Sequence, residues 1–227
     1  MAVNAAPSVA SSPWLALFDL DGTLTWRDTL LPFLLGFLRL RPHRALGLWR
    51  LPAALWFFWR DSDRGALKSR VIRMLLRGEK RETLDAWAQR FVADFESKRR
   101  FRPVALAVLE THRAAGDHLV LLSASPDLYV PLIGRQLGFE LTLCTELEWR
   151  GERLDGALKT PNRRGEEKLR CLAWLRERYR GVPVIAYANS ASDLDHLRQA
   201  DRALLVNGDD AARRLAAKWE VAVTYWN

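Results

Sequence analysis

The sequence predicts an α/β fold: a doubly wound, Rossmann-like parallel sheet with a helical cap inserted after the first strand. Three observations predict it. Short apolar runs end in polar turns at Leu15–Asp19, His118–Ser123 and Pro183–Asn189, as buried strands do. From Pro103 onward these runs alternate with segments of helical period, the pattern of a parallel sheet covered by helices. Between the first run and the rest, residues 28–100 carry helical patterning only.

The first run leads into Asp19-Leu-Asp21-Gly22-Thr23. Asp19 and Asp21 stand two residues apart just past a strand, where open α/β sheets place their sites and where two carboxylates can share one cation. Gly22 permits a tight exit. The pattern D-x-D-G-T arises by chance in roughly one chain of this length per thousand, so an ordinary polar turn is the weaker reading.

Residues 1–13 lack Lys, Arg and an apolar core segment, and are expected to form a disordered tail rather than a signal peptide. Residues 29–38 and 45–59 are strongly apolar, separated by Arg39, Arg41 and Arg44 and interrupted by Pro32, Pro42 and Pro52. They are too short to span a bilayer. Two readings stand: a buried helical pair, or a Trp-bearing, Arg-flanked surface lying in a membrane interface. Residues 64–77 and 79–98 read as amphipathic helices; in the second, Leu84, Trp87, Phe91 and Phe95 share one face. The expected division is a core of 14–27 and 101–227, with a helical cap at 28–100.

In the second half, a helix over 103–115 precedes the strand His118–Leu122, and Gly138 ends the next helix. An apolar run at 141–145 is followed by a hairpin or irregular excursion over 146–164. A helix over 165–180, a strand at 183–188, a helix after Asp193 and strands near 203–206 and 221–225 complete the series.

The formal net charge of +8 favours anionic partners but does not choose among phosphorylated metabolites, lipid headgroups and nucleic acid. Cys144 and Cys171 are too few for a disulfide framework, which suits a reducing cytoplasm. The chain has no Gly-x-Ser-x-Gly elbow and no Gly-Lys-Ser/Thr phosphate loop, and His43, His112, His118 and His196 show no metal-ligand spacing.

Three further positions carry chemistry only in combination. Ser123, with the backbone N–H groups of the turn through Ala124, can donate to a phosphate oxygen or simply cap a turn. Lys168 starts a helix, with Arg163 and Arg164 as rivals for any role it has. Asn189 ends a strand, and Asp193 follows one turn later.

Together these residues resemble the four motifs of the haloacid dehalogenase superfamily, most of whose members are Mg-dependent phosphohydrolases. The form Ser123-Ala-Ser-Pro-Asp127 is similar to that of its phosphoserine-phosphatase-like branch. The resemblance implies Asp19 as nucleophile, Asp21 as general acid and base, and Lys168 as the charge-balancing cation. It also implies Thr23, Ser123 and Ala124 around the phosphoryl oxygens, with Mg²⁺ on Asp19, Asp21, Asn189 and Asp193. The usual motif has Asp where Asn189 stands, so metal affinity should be lower. Asp28 and Arg70 resemble substrate contacts of phosphoserine phosphatases. The Trp-rich start of the cap looks more like bacterial phosphatases acting on phosphatidylglycerophosphate. The implied substrate is a small phosphorylated metabolite. One alternative is a lipid phosphate, with residues 30–59 against the inner membrane face; another is a weakly active anion-binding protein. No nucleic-acid partner is expected.

Overall fold

The computed structural model describes residues 13–227. The predicted tail, apart from Pro13, lies outside the described residues.

The first strand, β1 (Leu15–Phe18), is buried along its whole length. It lies between β2 (His118–Pro126) and β6 (Val184–Ala188) and runs parallel to both. The sheet continues through β3 (Leu141–Thr145) on one side and β7 (Arg202–Val206) and β8 (Ala222–Thr224) on the other. The order is β3-β2-β1-β6-β7-β8, and every pairing is parallel.

Parallel sheets need cover on both faces, and the two-residue period of a strand supplies two apolar sets. Leu15 and Leu17 pack under α7 (Glu166–Arg178), α8 (Leu194–Leu197) and α9 (Asp210–Lys218). Ala16 and Phe18 face the opposite layer, beneath α5 (Pro103–Ala114), α6 (Val130–Gln136) and the inserted helices. Each fully buried Leu or Phe contributes about 1.5–3 kcal/mol. The strand order reverses direction at β1, so the carboxyl ends of β2, β1 and β6 border one crevice.

The insertion leaves the core through a narrow neck. Thr25 and Phe101 form an isolated antiparallel bridge, and Trp26 N–H donates to the Arg100 carbonyl and Arg102 N–H to that of Leu24. Beyond it come α1 (Leu30–Leu40), a 3₁₀ segment (Pro42–Arg50), α2 (Leu51–Asp61), α3 (Arg64–Leu76) and α4 (Arg81–Ser97). The expectation of a buried helical pair holds for α1 alone. Phe33, Leu34 and Phe37 are buried, with Phe33 against Trp87, Phe91 and Tyr129. In α2 only Ala54 is buried, while Leu46, Trp49, Leu55, Trp56 and Trp59 face outward, Trp59 at 82% exposure.

Residues 146–164 resolve into an antiparallel hairpin, β4 (Leu147–Arg150) and β5 (Arg153–Leu158), turned at Gly151 with φ +56°. The Gly78 N–H donates to the Leu154 carbonyl, joining the hairpin to the end of α3. Among the described residues, no helix is long and apolar enough to cross a membrane. Cys144 and Cys171 are both buried and unbridged.

Candidate active site

Asp19 leaves β1 extended, with φ −79° and ψ 158°, its N–H donating to Tyr187 of β6. Residues Leu20–Leu24 then coil through a tight turn that needs the left-handed conformation of Gly22 (φ +81°). The Asn189 side chain packs against this glycine, so that a Cβ there would lie 2.1 Å from Asn189 Nδ2. The ends of β1 and β6 are thereby interlocked.

Lys168 enters from the first turn of α7, which opens at Gly165 (φ +56°). Its Nζ donates to Asp19 Oδ1 at 2.6 Å and lies 3.0 Å from Asp193 Oδ1. All three side chains are buried. Burial opposes the Lys168 charge, but Asp19 and Asp193 outweigh it and hold the ammonium above the ordinary lysine range. Burial pushes the Asp19 carboxyl up to about 6, against the pull of Lys168 and with help from Asp193. Burial likewise opposes charge on Asp193, yet Lys168 holds this carboxyl below its usual value.

Asp21 is fixed on both oxygens. Oδ1 accepts from Thr29 N at 2.8 Å and Thr29 Oγ1 at 2.7 Å, and Oδ2 accepts from Ser125 Oγ at 2.6 Å. The Thr29 hydroxyl is itself 2.9 Å from that of Tyr129. Burial, then the charge of Asp28, raise the Asp21 carboxyl above its ordinary value. A carboxyl raised in this way suits proton donation near neutral pH.

These groups border a cavity of about 770 Å³ between the core and the inserted helices. Of the residues expected from sequence, Asp19, Asp21, Asp28, Ala124, Lys168, Asn189 and Asp193 line it. Thr23 and Ser123 do not. Thr23 is fully buried and its hydroxyl donates to Asp19 Oδ2 at 3.1 Å, so it orients the carboxylate. Ser123 is fully buried and accepts from Ser125 N at 3.0 Å, leaving the backbone of Ala124 and the hydroxyl of Ser125 on the cavity wall. Asp28 lines the mouth and also accepts from Leu31 N at 2.9 Å, fixing the start of α1.

Arg70 is a correction. Its guanidinium lies over the Phe57 ring, 4.8 Å from the centroid, and not on the cavity. Two residues earlier, Lys68 takes the inward direction. Its Nζ donates to the Ala124 carbonyl and, at 2.5 Å, to Asn162 Oδ1. Lys68, Arg64, Asn162 and Ser125 line the site without having been singled out from sequence. The signal for the first two was available: Arg64 and Lys68 are four apart, and so share one face of α3. Arg164 reaches the cavity too, whereas Arg163 bonds Cys144 O, Glu167 and Cys171 away from it. Of the three, Lys168 is the one in contact with Asp19.

Among the described residues no three His, Cys, Asp or Glu side chains gather as a ligand set. Oxygen donors suited to a hard cation do border the cavity, from the carboxylates of Asp19 and Asp193 and the side chain of Asn189, while both Asp21 carboxylate oxygens are engaged by Thr29 and Ser125.

A fold of this topology, with an acidic site at the strand-order switch and an inserted helical unit, defines a class. Residues 16–198 match the model of the haloacid dehalogenase-like hydrolases, and the chain belongs to that family. Protein CicA of Caulobacter vibrioides is 36% identical over 193 residues, covering 83% of this chain and 84% of the relative. Among solved structures, a Bordetella pertussis Tohama I protein described as of unknown function superposes with a TM-score of 0.75. It is 23% identical and covers 94% of this chain and 98% of that one. A probable phosphoserine phosphatase from Vibrio cholerae superposes with a TM-score of 0.66 at 15% identity, covering 95% of this chain and 62% of that one. At these identities the two structures speak for the fold.

Proposed function

We propose that this protein is a Mg-dependent phosphomonoesterase working through an aspartyl-phosphate on Asp19. The observation that carries the reading is the buried Lys168 Nζ, 2.6 Å from Asp19 Oδ1 and 3.0 Å from Asp193 Oδ1 at the mouth of a cavity. Asp19 attacks phosphorus, and the bond to the leaving oxygen breaks as Asp21 gives that oxygen its proton. Asp21 then takes a proton from the water that attacks phosphorus, which frees Asp19. Lys168 and the stretch of β2 at Ala124 hold the phosphoryl oxygens. Mg²⁺, held by Asp19, the Asp21 carbonyl and Asn189 with Asp193 in support, would neutralise phosphoryl charge. Residues 28–100 act as the cap on a core of 14–27 and 101–227, excluding water from the reaction.

The proposed substrate is a small phosphorylated molecule, handled in the cytoplasm in the manner of a phosphoserine phosphatase. The apolar wall favours a second reading, a lipid phosphate. Leu30, Leu34, Phe58 and Val71 line the cavity, and Leu31, also lining it, is 60% exposed and continuous with the outward face of the cap. On that reading residues 30–59 rest on the inner membrane face, with Trp49 and Trp59 in the headgroup region. Asn189 in place of the usual Asp supports a third, a weakly active anion-binding protein.

Phosphate release from p-nitrophenyl phosphate with Mg²⁺, with EDTA, and by Asp19→Asn tests the catalytic reading. Activity that needs both metal and Asp19 is expected; a folded, Mg-loaded protein inert on every phosphoester would favour the third. Co-sedimentation with anionic liposomes, lost on substitution of Trp49, Trp56 and Trp59, would select the lipid reading over the soluble one.

A further inference from the structure

The cavity holds more positive charge than the phosphoryl site uses. Lys168 is matched by Asp19 and Asp193. Arg64 and Arg164 line the same cavity, and among the described residues neither guanidinium has an ion-pair or hydrogen-bond partner. They come from opposite banks, Arg64 from the first turn of α3 in the insertion and Arg164 from the core loop before α7. Their charges repel: Arg164 is half-buried, and burial followed by the Arg64 charge lowers its hold on its proton, against the weaker pull of Asp193 and Asp19.

Two like charges that share one cavity, with no ion pair to either guanidinium among the described residues, represent a cost that the fold accepts. Lys68 shows what maintains it. One turn after Arg64 on the same face of α3, its ammonium bonds the Ala124 carbonyl and Asn162 Oδ1, both in the core. This tie fixes α3 against the core at the place where Arg64 faces Arg164. Asn162 belongs to the same loop as Arg164, so both banks are held by one contact.

We propose that Arg64 and Arg164 form a second anion subsite, which takes an anionic group on the leaving-group part of the substrate. Guanidinium pairs recognise carboxylate, phosphodiester or phosphate oxygens through paired N–H donors. The inference rests on the phosphomonoesterase reading and adds a requirement to it: the preferred substrate carries a second negative charge apart from the phosphoryl group being transferred. Because one guanidinium rides on the insertion and the other on the core, the bound anion bridges the two banks that Lys68 already holds together.

The test compares 4-carboxyphenyl phosphate with its methyl ester, which removes the second charge while keeping the ring and the phosphate. In Arg64→Gln and Arg164→Gln, kcat/KM for the carboxylate is expected to fall at least tenfold further than for the ester, chiefly through KM. Equal losses on both substrates would overturn the proposal, by assigning the guanidiniums to the transferred phosphoryl group; no loss on either would overturn it as well. Turnover is not needed for the second arm, which titrates the full chain calorimetrically with methylenediphosphonate and with methylphosphonate. The wild type is expected to prefer the diphosphonate at least tenfold, and both variants to lose that preference; a preference that survives would refute the subsite. An inactive protein that passes this second arm sinks the phosphatase reading while leaving the anion subsite standing.

Discussion

Asn189 occupies the space that a side chain on Gly22 would need, at 2.1 Å from where its Cβ would sit. The turn after Asp19 and the end of β6 are therefore one unit. Gly22→Ala faces both a left-handed backbone and this collision, and is expected to cost about 1–3 kcal/mol of stability. Activity should fall at least tenfold, because Asp19 and Asn189 lose their registry. Chemical denaturation and phosphate release check the two effects separately.

Asn189→Asp restores a charged oxygen donor at the proposed metal site. We expect the Mg²⁺ concentration for half-maximal activity to fall by roughly tenfold, the scale of about 1.4 kcal/mol of added attraction. A Mg²⁺ titration of both proteins measures it; an unchanged midpoint would remove Asn189 from the metal site.

Lys168→Met leaves Asp19 and Asp193 buried without their cation. Removing one partner of a buried pair typically costs about 3–5 kcal/mol. The variant should be markedly destabilised at pH 7 and recover part of the loss near pH 5, where the carboxyls protonate. Phosphate release should fall by at least ~100-fold.

Asp127 gives a pH dependence separate from the site. Burial pushes its carboxyl up to about 6, and Oδ1 has no hydrogen-bond partner. The folded state thus binds this proton more tightly than the unfolded chain does. The resulting stabilisation is full below about pH 4 and is lost as pH rises through about 6. A tenfold difference in proton affinity between the folded and unfolded chains corresponds to about 1.4 kcal/mol. Asp127→Asn should therefore gain ~1–3 kcal/mol over the wild type at pH 7.5 and little at pH 4. Urea denaturation at the two pH values is the measurement.

Aromatic residues of the insertion should divide sharply. Phe33 is fully buried against Trp87, Phe91 and Tyr129, and Phe33→Ala is expected to cost about 3–5 kcal/mol. Trp59, exposed at 82%, should change stability by less than about 0.5 kcal/mol on substitution by Ser. Thermal unfolding of the two variants tests the contrast.

Much of this was legible in the chain because the key signals are local. The Asp19–Thr23 motif is five consecutive residues, and the strand end at Asn189 follows from an apolar run meeting a polar turn, whereas β2 runs past the expected end at Leu122 to Pro126. What was not legible depends on direction. Arg70 and Lys68 are two residues apart, about 200° around a helix, and periodicity did not say which one faces the core. Thr23 and Ser123 have the expected hydroxyls, but these turn inward to Asp19 and to Ser125 N. Lys168 lies in the first turn of α7 and Arg164 in the loop before it, and only the packing of α7 brings Lys168 to Asp19. The apolar composition of residues 45–59 indicated that the segment avoids water in some way, without telling a core from an outward surface.

The central strand of the sheet precedes both of its neighbours in the chain by about a hundred residues or more. β1 holds the centre of the sheet, yet its two neighbours begin at His118 and Val184. On the ribosome, Leu15–Phe18 has no partner until the second half of the chain has emerged, while the intervening helices form from local contacts. The crevice between Asp19, Ala124 and Asn189 exists only once β6 docks. A nascent or truncated chain ending before Val184 can therefore carry the helical insertion and still lack one bank of the crevice that Asp19 and Asn189 share.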